Sequence, residues 1–380
     1  MKILADSNIP SAREAFSWLG HVTLIKGRNI SRKSLMDIDI LLVRSTTPVN
    51  KELLEATPVK YVASATTGID HVDTAYLRDN HIGFSYAPGS NAESVAEYVI
   101  SALVHCAQKK EKKLGDMTLG IIGLGNVGSR VVRLARSLGM RCLLNDPPKK
   151  EVTGNDIYLP LSTVLKESDI VTLHVPLRSD GRYATFHMVN AGFISSMKKG
   201  AFLVNASRGD VADETALKNN RQRLGCVIFD VWSNEPNPDT GTIALCDIAT
   251  PHIAGHSYDG KLQGTRMIYE AACAFYSKEI KWHPPEISDK DKPKPIELRN
   301  NADVVNAAIC SAYPILEDDK YFRKIVSIDD AKRGIFFDDY RNNYSKRFEF
   351  CNYTVEVNSK NAENTASVLS NLGFKVITKE

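Results

Sequence analysis

The stretch that most restricts this chain is "LGIIGLGNVGSR", residues 119–130. An apolar run ends at Gly123, Gly125 and Gly128, and a segment with helical periodicity follows at once. In a strand–turn–helix setting, a glycine at 123 allows a tight turn, one at 125 lets a pyrophosphate approach the backbone, and one at 128 lets the helix pack closely on the strand. The spacing alone is a weak signal, because glycine turns are common. The next apolar run, "MRCLLND", closes on Asp146, about twenty residues on, where a carboxylate accepts hydrogen bonds from ribose hydroxyls and repels a 2′-phosphate. The segment therefore predicts a βαβ unit that binds NAD in preference to NADP, with Lys149 and Lys150 partly offsetting the acid.

The rest of the chain extends this rhythm in both directions. Apolar runs "KILAD", "DILLV", "VKYVASA" and "IGFSYA" precede it, and "DIVTLHV", "AFLVNA" and "GCVIFDV" follow, with helix-compatible segments between them. Strands alternating with helices imply parallel sheets covered on both faces. Between the two series, "NAESVAEYVISALVHCAQKK" reads as one long helix, and Ser90 with Glu93 has capping-box spacing. Residues 284–295, "PPEISDKDKPKP", have the composition of a linker. Beyond them, charged helix-like stretches and the short runs "YTVEV" and "FKVI" suggest a small α+β domain.

Composition narrows the classes. A chain of 380 residues with 43% hydrophobic content is long enough for several cores. Its 48 Lys and Arg against 45 Asp and Glu, a formal charge of +3, argue against a chain-wide nucleic-acid or membrane footprint. No uncharged apolar run is long enough to span a bilayer, and "MKILADSNIP" reads as a first strand and not as a signal peptide. Seven scattered cysteines without a CxxC pair suggest reduced thiols in a cytoplasmic protein, and no Cys/His spacing suggests a metal.

Three polar residues each follow an apolar strand of the second series: Arg208 in "VNASRGD", Glu235 in "FDVWSNEP" and His252 in "TPHIAG". Taken singly, each suits a solvated loop. Ligands of open α/β sheets gather beyond the carboxyl ends of the strands, so together they suit one site. Arginine offers a planar fork for a carboxylate, an imidazole exchanges protons near neutrality, and a glutamate bonded to that imidazole holds its tautomer. In the first series, Arg44 and Ser45 follow one strand, and Thr66 and Gly68 follow the next; hydroxyls, backbone N–H groups and an arginine at neighbouring strand ends suit an anion.

In order and spacing, "GLGNVG", Asp146, "VNASRGD", "FDVWSNEP" and "TPHIAG" resemble the NAD-dependent D-2-hydroxyacid dehydrogenases over residues 1 to about 280. The resemblance implies two doubly wound parallel-sheet domains, one a flavodoxin-like substrate domain of residues 1–92 and 254–283, the other a Rossmann NAD domain of residues 93–253, joined by the linker to a C-terminal domain of residues 296–380. It implies a catalytic trio of Arg208, Glu235 and His252, with Gly123, Gly125, Asn126, Val127, Gly128, Asp146, His174, Asp230 and Gly255 at the cofactor. "VRSTTPVN", "SATTGIDHVD", "FSYAPGSNAESVAEYV", "NDPP" and "FDDYRNNYSKRFEF" further resemble a branch of that family with a C-terminal dimerisation domain, acting on a phosphorylated four-carbon 2-hydroxyacid. That branch implies substrate contacts at Ser45, Thr66 and His256, where His256 replaces the tyrosine of relatives. The alternatives are a sibling acting on another D-2-hydroxyacid such as 3-phosphoglycerate, and an NAD-sensing corepressor-like binding protein.

Overall fold

The computed structural model describes residues 1–298, 303–358 and 362–379. The chain divides into two compact units, residues 1–91 with 256–291 and residues 92–255 with 292–380.

The first unit is a five-stranded parallel sheet built from β1 (Lys2–Asp6), β2 (His21–Ile25), β3 (Ile40–Val43), β4 (Tyr61–Ser64) and β5 (Gly83–Tyr86). Their spatial order is β2-β1-β3-β4-β5, the flavodoxin-like order, so the chain changes direction across the sheet between β1 and β3. β3 and β4 are buried along their whole length, as near-continuous apolar runs in a parallel sheet must be.

The second unit centres on a six-stranded parallel sheet: β6 (Thr118–Ile122), β7 (Arg141–Asn145), β8 (Ile170–Leu173), β9 (Phe202–Asn205), β10 (Cys226–Phe229) and β11 (Ile248–Ala249). The order β11-β10-β9-β8-β6-β7 puts the direction change at β6, the strand that ends in the glycine turn. Helix α1 (Ala92–Lys109) is buried on nearly all sides, which its apolar composition requires. Its Glu93 pairs with Arg130 and Arg133 of α2 (Asn126–Ser137).

Both short runs near the C-terminus are strands. β12 (Ile296–Glu297), β13 (Thr354–Asn358) and β14 (Lys375–Lys379) form a three-stranded parallel sheet. Val355 of this sheet, with Leu369 and Phe374 beside it, shares one apolar core with Leu103, Val131 and Ile228 around the six-stranded sheet. The expectation of seven reduced thiols needs correction: Cys106 of α1 and Cys226 of β10 are joined by a disulfide across a sequence separation of 120. Sequence spacing gave no sign of it, because the pair is made only when α1 packs on the sheet. Among the described residues, no helix is long and apolar enough to cross a membrane.

Candidate active site

Three loops at the carboxyl ends of β9, β10 and β11 carry Arg208, Glu235 and His252. The imidazole Nδ1 of His252 lies 2.7 Å from Glu235 Oε2. Glu235 Oε1 accepts the backbone N–H of Trp232 at 3.0 Å, so both oxygens are engaged and the carboxylate is fixed. Burial alone pushes this carboxyl up, but His252, Arg341 and the Trp232 N–H outweigh it and hold Glu235 below its ordinary value. An ionised Glu235 makes Nδ1 the protonated nitrogen of a neutral His252 and leaves Nε2 to take a proton.

His252 sits in the left-handed backbone region, at φ 57°. For a non-glycine residue that costs on the order of 1–3 kcal/mol and persists only where the surroundings over-determine it. Asp230, 1% exposed, supplies that determination. Its Oδ1 accepts the Ile253 N–H at 2.8 Å and the Thr250 hydroxyl at 2.7 Å, and its Oδ2 accepts the Ala254 N–H at 2.9 Å. The Asp230 carbonyl also takes the His252 N–H at 2.6 Å. Hydrogen bonds to a charged partner are worth about 1.5–3 kcal/mol each, so this set exceeds the strain. Burial raises the Asp230 carboxyl, and His252, Thr250 and the two N–H donors pull against that rise. Tyr98 adds an outer contact, its hydroxyl 2.7 Å from Thr250 Oγ1, and the Trp232 indole donates to the Thr250 carbonyl at 2.9 Å.

Arg208 is placed by fully buried Asn205, whose amide donates to the Arg208 carbonyl at 2.9 Å while its Oδ1 accepts the Ser207 hydroxyl at 2.8 Å. The neighbouring Gly209 lies against the Glu235 loop: a Cβ there would fall 1.9 Å from the Trp232 carbonyl carbon. Only glycine lets these two loops meet, and Arg208 Nη1 folds onto the Ser207 carbonyl at 2.8 Å.

The glycine turn fits a dinucleotide. Gly123 has φ 90°, and a Cβ on it would strike the His174 carbonyl at 2.4 Å, while one on Gly128 would strike the Gly123 carbonyl at 2.0 Å. At Gly125, by contrast, a Cβ meets nothing within 4 Å, so open space lies over the start of α2. Asn126 and Val127 form that first turn, with N–H groups facing the space a phosphate takes at a helix N-terminus. Asp146 braces the turn, Oδ2 accepting Leu124 N–H at 2.8 Å and Oδ1 accepting Lys149 N–H at 3.0 Å. The two lysines have other partners: Lys149 Nζ reaches the Leu124 carbonyl at 2.5 Å and Lys150 pairs with Asp156 at 3.3 Å. His174, against the glycine turn, bonds Thr172 through Nε2 at 2.9 Å, and burial drives its value down to about 3, so it is neutral. Among the described residues, no group of three or more His, Cys, Asp or Glu is arranged to hold a metal.

In the first unit, the ends of β1 and β3 meet at the direction change of the sheet. The Arg44 guanidinium is tied by Nε to fully buried Asp6 at 3.0 Å. Ser45, in the turn beyond it, is exposed. Past β4, the Thr66 hydroxyl lies 2.7 Å from Ser64 Oγ and donates to the Gly68 carbonyl at 2.8 Å. His256 is half-buried at the start of the segment leading into α3 (Tyr258–Phe275), and Gly255 precedes it at the end of the second unit's loop. Residues that sequence reasoning missed are Trp232, which bonds Glu235; Thr250 and Tyr98, which brace Asp230 and the His252 loop; and Arg341, which acts on Glu235 through its charge.

Comparison with known proteins gives the family of the chain. Residues 97–254 match the model of the D-isomer specific 2-hydroxyacid dehydrogenase, NAD binding domain. The chain is 41% identical to an erythronate-4-phosphate dehydrogenase of Salinibacter ruber, covering 99% of both chains. It is 39% identical to one of Proteus mirabilis, covering 100% of both. Among solved structures, a D-lactate dehydrogenase of Aquifex aeolicus complexed with NAD and lactic acid superposes with a TM-score of 0.61 at 25% identity, over 73% of this chain and 96% of that one.

Proposed function

The chain belongs to the erythronate-4-phosphate dehydrogenase family of D-isomer specific 2-hydroxyacid dehydrogenases, and on that premise we propose that it oxidises the C2 hydroxyl of 4-phospho-D-erythronate to (R)-3-hydroxy-2-oxo-4-phosphooxybutanoate, a step toward pyridoxine 5′-phosphate. The observation that carries the chemistry is the 2.7 Å contact between His252 Nδ1 and Glu235 Oε2 at adjoining strand ends. Gly123, Gly125, Gly128 and Asp146 would hold NAD, which when bound would supply the acceptor for the C2 hydride. His252 Nε2 takes the hydroxyl proton as the C2–O bond becomes a carbonyl, and later passes it to solvent. Glu235 stabilises the imidazolium formed in that step. Arg208 holds the substrate carboxylate and polarises the C2 oxygen, and we assign the phosphorylated end to Arg44, Ser45, Thr66, Gly68 and His256. Asp230 and Gly255 are assigned to the nicotinamide end.

We also propose a cytoplasmic homodimer joined through the C-terminal segment. What supports the dimer is an exposed apolar ladder on α4 (Ile315–Phe322) and α5 (Asp330–Asn342). Leu316, Tyr321 and Ile335 are 47%, 42% and 64% exposed, and Tyr321 stacks on both Phe336 and Tyr340. A surface of that kind is normally covered.

The deciding assay supplies purified protein with NAD, a 2-oxoacid to reoxidise any retained NADH, and either 4-phosphoerythronate or 3-phosphoglycerate. Oxidation of 4-phosphoerythronate with the larger kcat/KM is expected; a much faster reaction with 3-phosphoglycerate would overturn the substrate assignment. Sedimentation equilibrium of the same preparation is expected to give twice the chain mass, and a monomer would refute the dimer. Arg208→Lys is expected to lower kcat/KM about 10- to 100-fold, since the lost bidentate, charge-assisted contact is worth about 1.5–3 kcal/mol. Unaltered kcat/KM would remove Arg208 from the site.

A further inference from the structure

Beyond that assignment, the C-terminal segment reaches the loop that carries His252. Arg347 is 7% exposed, and its Nη2 donates to the Ala254 carbonyl at 2.5 Å. Its Nε and Nη1 are buried and make no hydrogen bond in the structure. The guanidinium lies 4.1 Å from the centre of the Tyr313 ring. That ring is locked in turn, because Tyr313, Tyr340 and Tyr344 all donate to the carboxylate of Asp318, at 3.1, 2.6 and 2.7 Å.

A buried guanidinium costs several kcal/mol in lost hydration. Part of that cost is offset by the nearby carboxyl groups of Glu97 and Asp318, which act on the guanidinium through charge. Among the described residues, its hydrogen bond goes to the peptide carbonyl two residues beyond His252. A second contact comes from the same segment on the other side of the histidine. Asp319 Oδ1 accepts the Ala249 N–H at 2.7 Å, and Asp319 is itself held by Arg323 at 2.8 Å. Asp230 grips the N–H groups of residues 253 and 254, so Ala254 is held on both sides, its N–H by Asp230 and its C=O by Arg347. With the chain also pinned at Ala249, the left-handed turn at His252 has little room to relax.

We infer that Arg347 is a positioning residue for the dehydrogenase reaction: by holding the Ala254 carbonyl it keeps the His252 loop in its strained conformation, which makes the C-terminal segment part of the active-site support. The inference rests on His252 being the proton-transferring base. A misplacement of about 1 Å at a reacting group can cost about a hundredfold in rate, so the side chain has leverage without touching substrate.

The test uses full-length Arg347→Met and Arg347→Lys. The methionine keeps the bulk and removes the donor; the lysine keeps a charge and one donor. For Arg347→Met we expect kcat to fall about 10- to 100-fold, with KM and NAD affinity within threefold of wild type. Hydrogen exchange of the peptide covering residues 250–256 should rise in the same variant. Arg347→Lys should recover most of kcat and part of the protection. Wild-type kcat together with wild-type exchange over 250–256 in folded Arg347→Met would overturn the inference. If that variant does not fold, Arg347→Lys decides alone: intermediate kcat with raised exchange supports the inference, and values equal to wild type in both refute it. Exchange is read without turnover, so an active His252→Ala enzyme would refute the base assignment while leaving the exchange result to judge Arg347.

Discussion

Replacing His252 by alanine will reduce kcat by about 10²- to 10⁴-fold, the usual worth of a positioned general base, while NAD affinity stays within a few-fold of wild type. His256→Ala will instead raise KM and leave kcat within a few-fold. The two histidines are four positions apart in sequence, and their surroundings separate them. His252 is bonded through Nδ1 to an ionised carboxylate, and its backbone is held in the left-handed region by Asp230. Strain of that kind is kept where geometry at one side chain matters. His256 opens the segment before α3, outside the Asp230 clamp, and its assigned task is to hold an anion. Binding made equally in ground and transition states moves KM; proton transfer exists only in the transition state and moves kcat. Steady-state kinetics of both variants decide the matter, and equal losses of kcat would defeat this division of labour.

Much of this was legible because the relevant signals are local. The glycine spacing, the apolar run before it and Asp146 after it lie within one βαβ unit, and the structure puts them at β6, where the sheet changes direction. The pairing of Glu235 with His252 followed from their positions after neighbouring strands. Other features depend on long-range packing, which no spacing records. Asp230 was expected only at the cofactor, yet three of its hydrogen bonds go to residues 250–254, more than twenty positions away in some cases. Arg44 was read as a donor awaiting an anion, and its guanidinium proves to be tied to Asp6, a residue 38 positions earlier. Nor does any periodicity around residues 313–347 announce a buried arginine facing the histidine loop. The tail looked like an appendage because its composition changes after the linker; its apolar residues nevertheless join the core of the nucleotide-binding body.

Glu235→Gln is the sharper test of the proton path, because it removes charge with almost no change of shape. In the native protein both Glu235 oxygens accept, one from Trp232 N–H at 3.0 Å and one facing His252 Nδ1 at 2.7 Å. A glutamine has one acceptor and one donor group. If its oxygen keeps Trp232, its NH2 faces Nδ1, and the imidazole must place its proton on Nε2, the nitrogen that has to receive the substrate's proton. If its oxygen keeps Nδ1–H, its NH2 opposes the Trp232 N–H, leaving a buried donor unsatisfied at a cost of about 1–3 kcal/mol. Either arrangement harms catalysis, and kcat is expected to fall about 10²- to 10⁴-fold. The pH dependence separates the charge from the geometry. Glu235 titrates below its ordinary value in the folded protein, so its stabilising effect is complete above about pH 4.3 and is lost as the pH falls through the lower folded value. Glu235→Gln should therefore lose stability relative to the native protein at neutral pH, and the difference should shrink as the pH falls through the folded titration of Glu235. Glu235→Asp, which retains the charge at greater distance, should keep more of both stability and kcat. Equal kcat in the glutamine and aspartate variants would show that the charge of Glu235 does not matter to catalysis.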